Sequence, residues 1–260
     1  MIDPQYPEPV GESGPTPEQR MMRWFLLASG GIVVIGVAIV LVMVLTTGVP
    51  GGDPPTPPDG PRESLPPLAQ ACPPPTSSPP TNDVPPAFDG EQTVDADSGI
   101  AYRAYGEPWQ PWADVWRAGD LQVEYATGQA FVTETYPKGN YLASILSGHV
   151  PAAVNDGTDL DLHCVSDQVA ADVRLNYYPQ PNELEPIRDE AATLGGLPAW
   201  VRVFRLVFEE PGLTAGSELV GVALIDVGRA EAAVLYVSIP DTHDEYDHVV
   251  DEVMESVRPV

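Results

Sequence analysis

Glu218-Leu-Val-Gly-Val-Ala-Leu-Ile-Asp-Val-Gly-Arg-Ala-Glu-Ala-Ala-Val-Leu-Tyr-Val-Ser238 is the stretch on which the fold turns. Two apolar, β-branched runs, Glu218 to Val227 and Glu231 to Ser238, flank Gly228, and that spacing predicts an antiparallel hairpin. Upstream, Ile187 to Leu194 and Ala199 to Glu209 flank Gly195-Gly196 in the same way. Downstream, Asp241 or Thr242 caps a terminal helix, with Glu245 completing a Thr-x-x-Glu box and Tyr246, Val249, Val250, Val253 and Val257 forming one apolar stripe.

Further upstream, Ser98 to Tyr105, Leu121 to Tyr125, Gln129 to Tyr136 and Tyr141 to Leu146 read as strands. Turns are expected at Thr127-Gly128 and at Lys138-Gly139-Asn140. A helix begins at Ser166, with Val169, Val173 and Tyr177 on one face, and Pro179 stops it. Strands in runs with about two helices, rather than strict alternation, predict an α+β domain over 91–260: an antiparallel sheet with the helices packed on it.

The N-terminal part has a different character. Trp24 to Leu45 is an uninterrupted apolar run, and no charge occurs between Arg23 and Asp53. At about 1.5 Å per residue it covers a hydrocarbon core of roughly 30 Å, so residues 24–46 are expected to form a single transmembrane helix in contact with the lipid bilayer. The run is longer than a signal-peptide core and ends in Thr46-Thr47-Gly48-Val49-Pro50 without a small-x-small site, so it is expected to stay as an anchor. Arg20 and Arg23 lie on one flank and Asp53 and Asp59 on the other, which predicts a cytoplasmic N-terminus and an extracytoplasmic C-terminal domain at the cell membrane. Residues 1–23, with five prolines among polar residues, read as a disordered tail. Residues 47–90, with proline pairs recurring from Pro54-Pro55 to Pro85-Pro86, read as an extended linker with a reach on the order of 100 Å.

Acidic residues number 38 against 12 basic ones, a formal charge of -26, and Lys138 is the only lysine. Nucleic acid is excluded as a partner, because its binding needs cations to neutralise phosphates. The same charge disfavours a folded part lying on anionic lipid. Two cysteines in an oxidising compartment predict one disulfide, Cys72 to Cys164, which would pin the linker onto the domain. An intermolecular bond through Cys72, or two unpaired thiols with Cys164 packed as an apolar residue, are the alternatives.

From Asp189 to Val260 the order is strand, Gly-Gly turn, Pro198-Ala199-Trp200 leading a strand, two strands around Asp226-Val227-Gly228, then Ser238-Ile239-Pro240-Asp241 opening a helix. This order resembles the closing half of the PsbP-like fold, shared by the photosystem extrinsic protein and the actinobacterial lipoprotein LpqN. The chain as a whole resembles single-span actinobacterial proteins with such an outer domain. It departs from LpqN in having a span instead of a lipidated cysteine, since Ala69-Gln70-Ala71-Cys72 is far from any apolar leader. The resemblance implies α-β-α layers, a role in binding or supporting partners, and no shared catalytic set.

Three constellations invite chemistry. Trp109, Trp112 and Trp116 are candidate partner-binding aromatics, yet their i, i+3, i+7 spacing is equally that of a buried helical face. His243, Asp244, Asp247 and His248 form two i, i+4 pairs that could hold a divalent metal, against a solvated first helical turn. Asn155 to Asp161 has the composition of a calcium loop, but Ala152 and Val154 stand at earlier ligand positions and the pattern fails. No Gly-x-Ser-x-Gly, His-Glu-x-x-His, phosphate-loop or Cys-x-x-Cys motif occurs, and His149 and His163 are isolated. No catalytic residue, metal ligand or cofactor is therefore assigned. The expectation is a membrane-anchored extracytoplasmic binding or accessory domain for a protein or cell-envelope partner, with the oligomeric state left open. An envelope-acting enzyme with an unrecognised active site is the alternative.

Overall fold

The computed structural model describes residues 65–74, 90–155 and 160–260. The tail 1–23, the span 24–46 and most of the linker 47–90 lie outside the described residues. Among the described residues no helix is long and apolar enough to cross a membrane.

The strands are β1 (Gln92–Asp95), β2 (Ile100–Arg103), β3 (Gln110–Pro111), β4 (Trp116–Ala118), β5 (Val123–Tyr136), β6 (Gly139–His149), β7 (Asn182–Leu194), β8 (Leu197–Phe208), β9 (Ser217–Ile225), β10 (Ala233–Pro240) and β11 (Arg258–Pro259). The helices are α1 (Pro67–Ala71), α2 (Leu162–Asn176) and α3 (Val249–Glu255), with a 3-10 segment over Asp241–Tyr246. The main sheet runs β3-β5-β6-β10-β9-β8-β7, with β4 also paired to β5, and a small sheet runs β1-β2-β11. Every pairing is antiparallel, so the α+β class read from the sequence is the one observed.

The two predicted hairpins form, β7–β8 through Gly195-Gly196 and β9–β10 around Gly228. They place β9 and β10 at the centre, where nearly every residue is buried and alternation sorts the side chains between two cores. Val220, Val222 and Leu224 face α2 and meet Val165, Val169 and Val173. Leu219, Ala223 and Ile225 face the other way and meet Val249, Val250 and Val253 of α3. Helices thus cover both faces, and each of these buried valine, leucine and isoleucine side chains contributes about 1.5–3 kcal/mol.

Gly221 sets how closely α3 approaches. A Cβ there would lie 2.7 Å from Val250 Cγ1 and 2.7 Å from Met254 Cε. Met254 can swing aside but Val250 is held by the helix backbone. Gly221→Ala is therefore expected to lower stability by about 1–3 kcal/mol, read as a reduced urea midpoint.

Three local expectations are corrected. Leu121–Tyr125 and Gln129–Tyr136 are not two strands joined by a turn; they belong to the single strand β5, which shifts register between Tyr125 and Thr127 and between Val132 and Glu134. Gly128 is a close-approach point within it, since a Cβ there would sit 2.1 Å from the Ile145 carbonyl oxygen. The helix expected from Ser166 starts at Leu162, because Asp161 caps it by accepting from the Cys164 N–H at 3.1 Å. The Thr-x-x-Glu box does not form: the chain kinks at His243 (φ -138°, ψ 38°), and the Asp241 carboxylate accepts instead from the Gly216 N–H and the Ser217 hydroxyl. The apolar stripe survives that loss, with Val249, Val250, Val253 and Val257 buried and Tyr246 partly so.

The outer strand β7 is guarded against pairing. Pro186 removes a donor, the register slips between Pro186 and Arg188, and Glu183, Glu185, Asp189 and Glu190 are exposed along it. The small sheet is joined to β6 by a buried chain in which the Tyr102 hydroxyl donates to Ser147 Oγ at 3.0 Å and Ser147 donates to Asp95 Oδ2 at 2.6 Å. Burial holds the Tyr102 phenol well above its ordinary range.

Candidate functional site

Cys72 and Cys164 are joined in a disulfide with a Cα–Cα distance of 5.6 Å, which selects the intramolecular bond among the three readings of the cysteines. The cap by Asp161 fixes Cys164 in the first turn of α2. Opposite it, Leu68 and Cys72 are buried at 2% and 0% exposure, and the Leu68 N–H donates to the Val154 carbonyl at 2.9 Å. Residues 65–74, which the sequence groups with the linker, are thus seated on the domain's α2 face.

The three tryptophans do not share a helical face. They sit on short strands and turns, preceded by a cis Glu107–Pro108 bond. Trp109 is buried on the α3 side, edge-on to Phe131 at 4.8 Å and to Tyr246 at 5.9 Å. Trp112 and Trp116 are half-buried against the α2-side core, where Trp116 stacks on Tyr125 at 5.5 Å. Sequence spacing suggested one buried helical face; the rings do pack against cores, but strand pairing divides them between two, and Trp109 offers little ring to a partner.

The His/Asp run diverges as well. Asp247 pairs with Arg205 at 3.2 Å; burial raises its carboxyl above the usual range while Arg205 pulls it back. His243 Nδ1 meets Thr242 Oγ1, and His248 Nδ1 meets the Glu245 carbonyl. Among the described residues no group of three or more His, Cys, Asp or Glu side chains is placed to hold a metal. Of the calcium-like loop, residues 156–159 lie outside the described residues, Asn155 is buried and Asp161 is the helix cap.

The other two histidines each lie beside a carboxylate. His149 lies 3.6 Å from Glu231, and His163 lies 3.7 Å from Asp167 with its ring 4.4 Å from that of Trp200. Beside it, Arg202 reaches Asp167 at 2.5 Å and Asp189 at 3.1 Å, and its Nε donates to Ser166 Oγ at 3.0 Å. Ser166 Oγ in turn donates to the His163 backbone carbonyl, not its ring, so this cluster binds α2 to β8 without making an activated hydroxyl.

The feature that sequence reasoning missed lies at one end of the α2-side core. Glu218, on β9, is 1% exposed. Its carboxyl accepts from the Tyr141 hydroxyl on β6 and from the Ser238 hydroxyl on β10. Ser238 Oγ lies 2.8 Å from the Tyr178 hydroxyl, which lies 2.5 Å from that of Tyr236. Burial pushes the Glu218 carboxyl up to about 8, against the pull of the Ser238 and Tyr141 hydroxyls, and the charge of Asp241 adds to the rise. Burial likewise holds Tyr141, Tyr178 and Tyr236 far above the ordinary phenol range. One signal was present in the sequence: Glu218 shares strand parity with Val220, Val222 and Leu224, and Ser238 shares it with Val234 and Tyr236, so both were bound to point inward.

A cleft beside Val165, Leu224, Asp226 and Arg229 has a volume of about 20 Å³, room for about one water, and no histidine lines it. No protein-family model matches the chain, and no curated protein matches it. Among solved structures, the chain is similar to the solution structure of cyanobacterial PsbP (CyanoP) from Synechocystis sp. PCC 6803, with 17% identity, 65% of this chain and 92% of that chain covered, and a TM-score of 0.38.

Proposed function

We propose that this chain is a single-pass membrane protein of actinobacterial type, anchored by residues 24–46 with its N-terminus in the cytoplasm. Its α-β-α domain is presented outside the cell as a non-catalytic binding or accessory module for a protein or envelope partner. The observation that carries the reading is the Cys72–Cys164 disulfide, which closes over a buried segment and belongs to an oxidising compartment. A scaffold role is further supported by where the polar side chains go: Arg202, Asp172, Glu218 and Asp95 each hold two or more elements together.

Maleimide–polyethylene glycol labelling of the full chain in its native membrane tests the compartment. The expected result is no labelled thiol before reduction and two after it, together with removal of the domain by protease added from outside. Thiols free before reduction, or a domain shielded from external protease, would overturn the proposal.

A further inference from the structure

We infer that Glu218 and the four hydroxyls around it form a proton-operated latch, which holds β6, β9, β10 and the end of α2 together when the carboxyl is protonated and loosens them when it is not. The geometry comes from proton counting. The chain Tyr236–Tyr178–Ser238–Glu218–Tyr141 has four hydrogen-bonded links and four hydroxyl protons. With the carboxyl ionised, all four protons run toward it and every link is filled. A fifth proton, on the carboxyl, must be donated outward, which reverses one arm and turns the Tyr236 or the Tyr141 proton away from the chain.

The two protonation states therefore differ in hydrogen-bond direction as well as in charge: the hydroxyls favour the charged form, but the carboxyl is 1% exposed, and its burial outweighs them and makes the protonated state the tighter one. Among the described residues, no cation acts on the carboxyl from any element packed on it. The neighbours are Tyr141 from β6, Ser238 and Tyr236 from β10, Tyr178 after α2, the apolar Phe208 ring beside Tyr141 and Tyr178 from β8, and Asp241 from the 3-10 segment, whose charge opposes ionisation. An unpaired carboxylate in that enclosure carries its desolvation cost with only hydroxyl dipoles to offset it.

The sign follows from proton binding. The native carboxyl holds its proton up to about 8, whereas the unfolded one releases it near 4.5. Between those values the native state binds more protons, so stability is greatest in acid and falls as pH rises, levelling off above about 8. Within that window the folding equilibrium constant should fall by up to about tenfold per pH unit.

The test uses the full chain in detergent, unfolded in urea from pH 5 to 9. Glu218→Gln keeps the shape and cannot ionise, so the fall seen in the wild type should flatten in E218Q; His149 and His163 remain in both, and the difference between the two curves isolates Glu218. An equal fall in both proteins would overturn the latch. A native-state readout guards against a variant that fails to fold: the infrared carboxyl band of protonated glutamate should be present at pH 6.5 and fall to about half near pH 8 in the wild type, fading further above it, and its absence at pH 6.5 overturns the inference. Ser238→Ala removes a donor that favours the charged form and should move the band's midpoint to higher pH; a midpoint that stays or falls speaks against the assigned geometry. Amide exchange at Tyr178 and Leu219 should quicken from pH 7 to pH 9 beyond the intrinsic pH effect in the wild type and not in E218Q, and parallel behaviour in both would remove the loosening step.

Discussion

Replacing both Cys72 and Cys164 by serine is expected to lower the stability of the domain by about 4–5 kcal/mol, the largest effect of any change considered. The bond closes a loop across a sequence separation of 92 residues, and in the chain-entropy model a loop of that length restricts the unfolded state by this amount. For a domain of this size the loss corresponds to a drop in melting temperature of roughly 10–20 °C. The cost is expected in the covalent link more than in the packing, because α1 is only five residues long and keeps Leu68 to bury after reduction. Reductant should bring the wild type to the melting temperature of the double variant, a comparison that differential scanning calorimetry makes directly. A double variant as stable as the oxidised wild type would mean that the seated segment, not the bond, holds residues 65–74 in place.

Asp172→Ala is expected to cost about 3 kcal/mol. Asp172 lies on α2 at 6% exposure, and its carboxylate accepts from the Asp120 N–H at 2.8 Å, the Leu121 N–H at 3.2 Å and the Asn176 side-chain amide at 2.6 Å. It thereby ties the turn between β4 and β5 to the helix. Charged acceptors of this kind contribute about 1.5–3 kcal/mol each, less than additively, and truncation leaves two backbone donors without their acceptor. Asp172→Asn should recover only part of the loss, since half of its amide is itself a donor. Urea denaturation gives the magnitude, and hydrogen exchange at Asp120 and Leu121 shows whether the turn is what comes loose.

Much of the architecture was legible because it rests on short-range rules. The hairpins at Gly195-Gly196 and Gly228 were visible from paired apolar runs around glycine, and both form. The stripe of α3 was visible from valines at helical spacing, and it is buried. The errors came where a long-range partner competed with a local signal. Gly128 looks like a turn, but β6 pairs with β5 on both sides of it, and it becomes a close-approach point opposite Leu146, just past the register shift between Tyr125 and Thr127. Thr242 and Glu245 look like a cap, but Asp241 is drawn to the loop before β9. The tryptophans at i, i+3, i+7 look like a helical face, but Gln110 and Trp116 pair with different parts of β5 and deliver their neighbours to opposite cores.

By itself the sequence determined the strand-rich C-terminal half, its class, its charge and the pairing expected of two cysteines under oxidising conditions, because periodicity, turn chemistry and thiol chemistry act on residues close in the chain or few in number. Only the tertiary structure decided that Glu218, Tyr141, Ser238, Tyr178 and Tyr236 share one enclosure. These residues come from β6, β9, β10 and the segment after α2, and only the sheet order β6-β10-β9 together with the packing of α2 brings them within hydrogen-bonding reach. A carboxyl's chemistry depends on the solvent it has lost and on the dipoles that replace it, and both are properties of the assembled core.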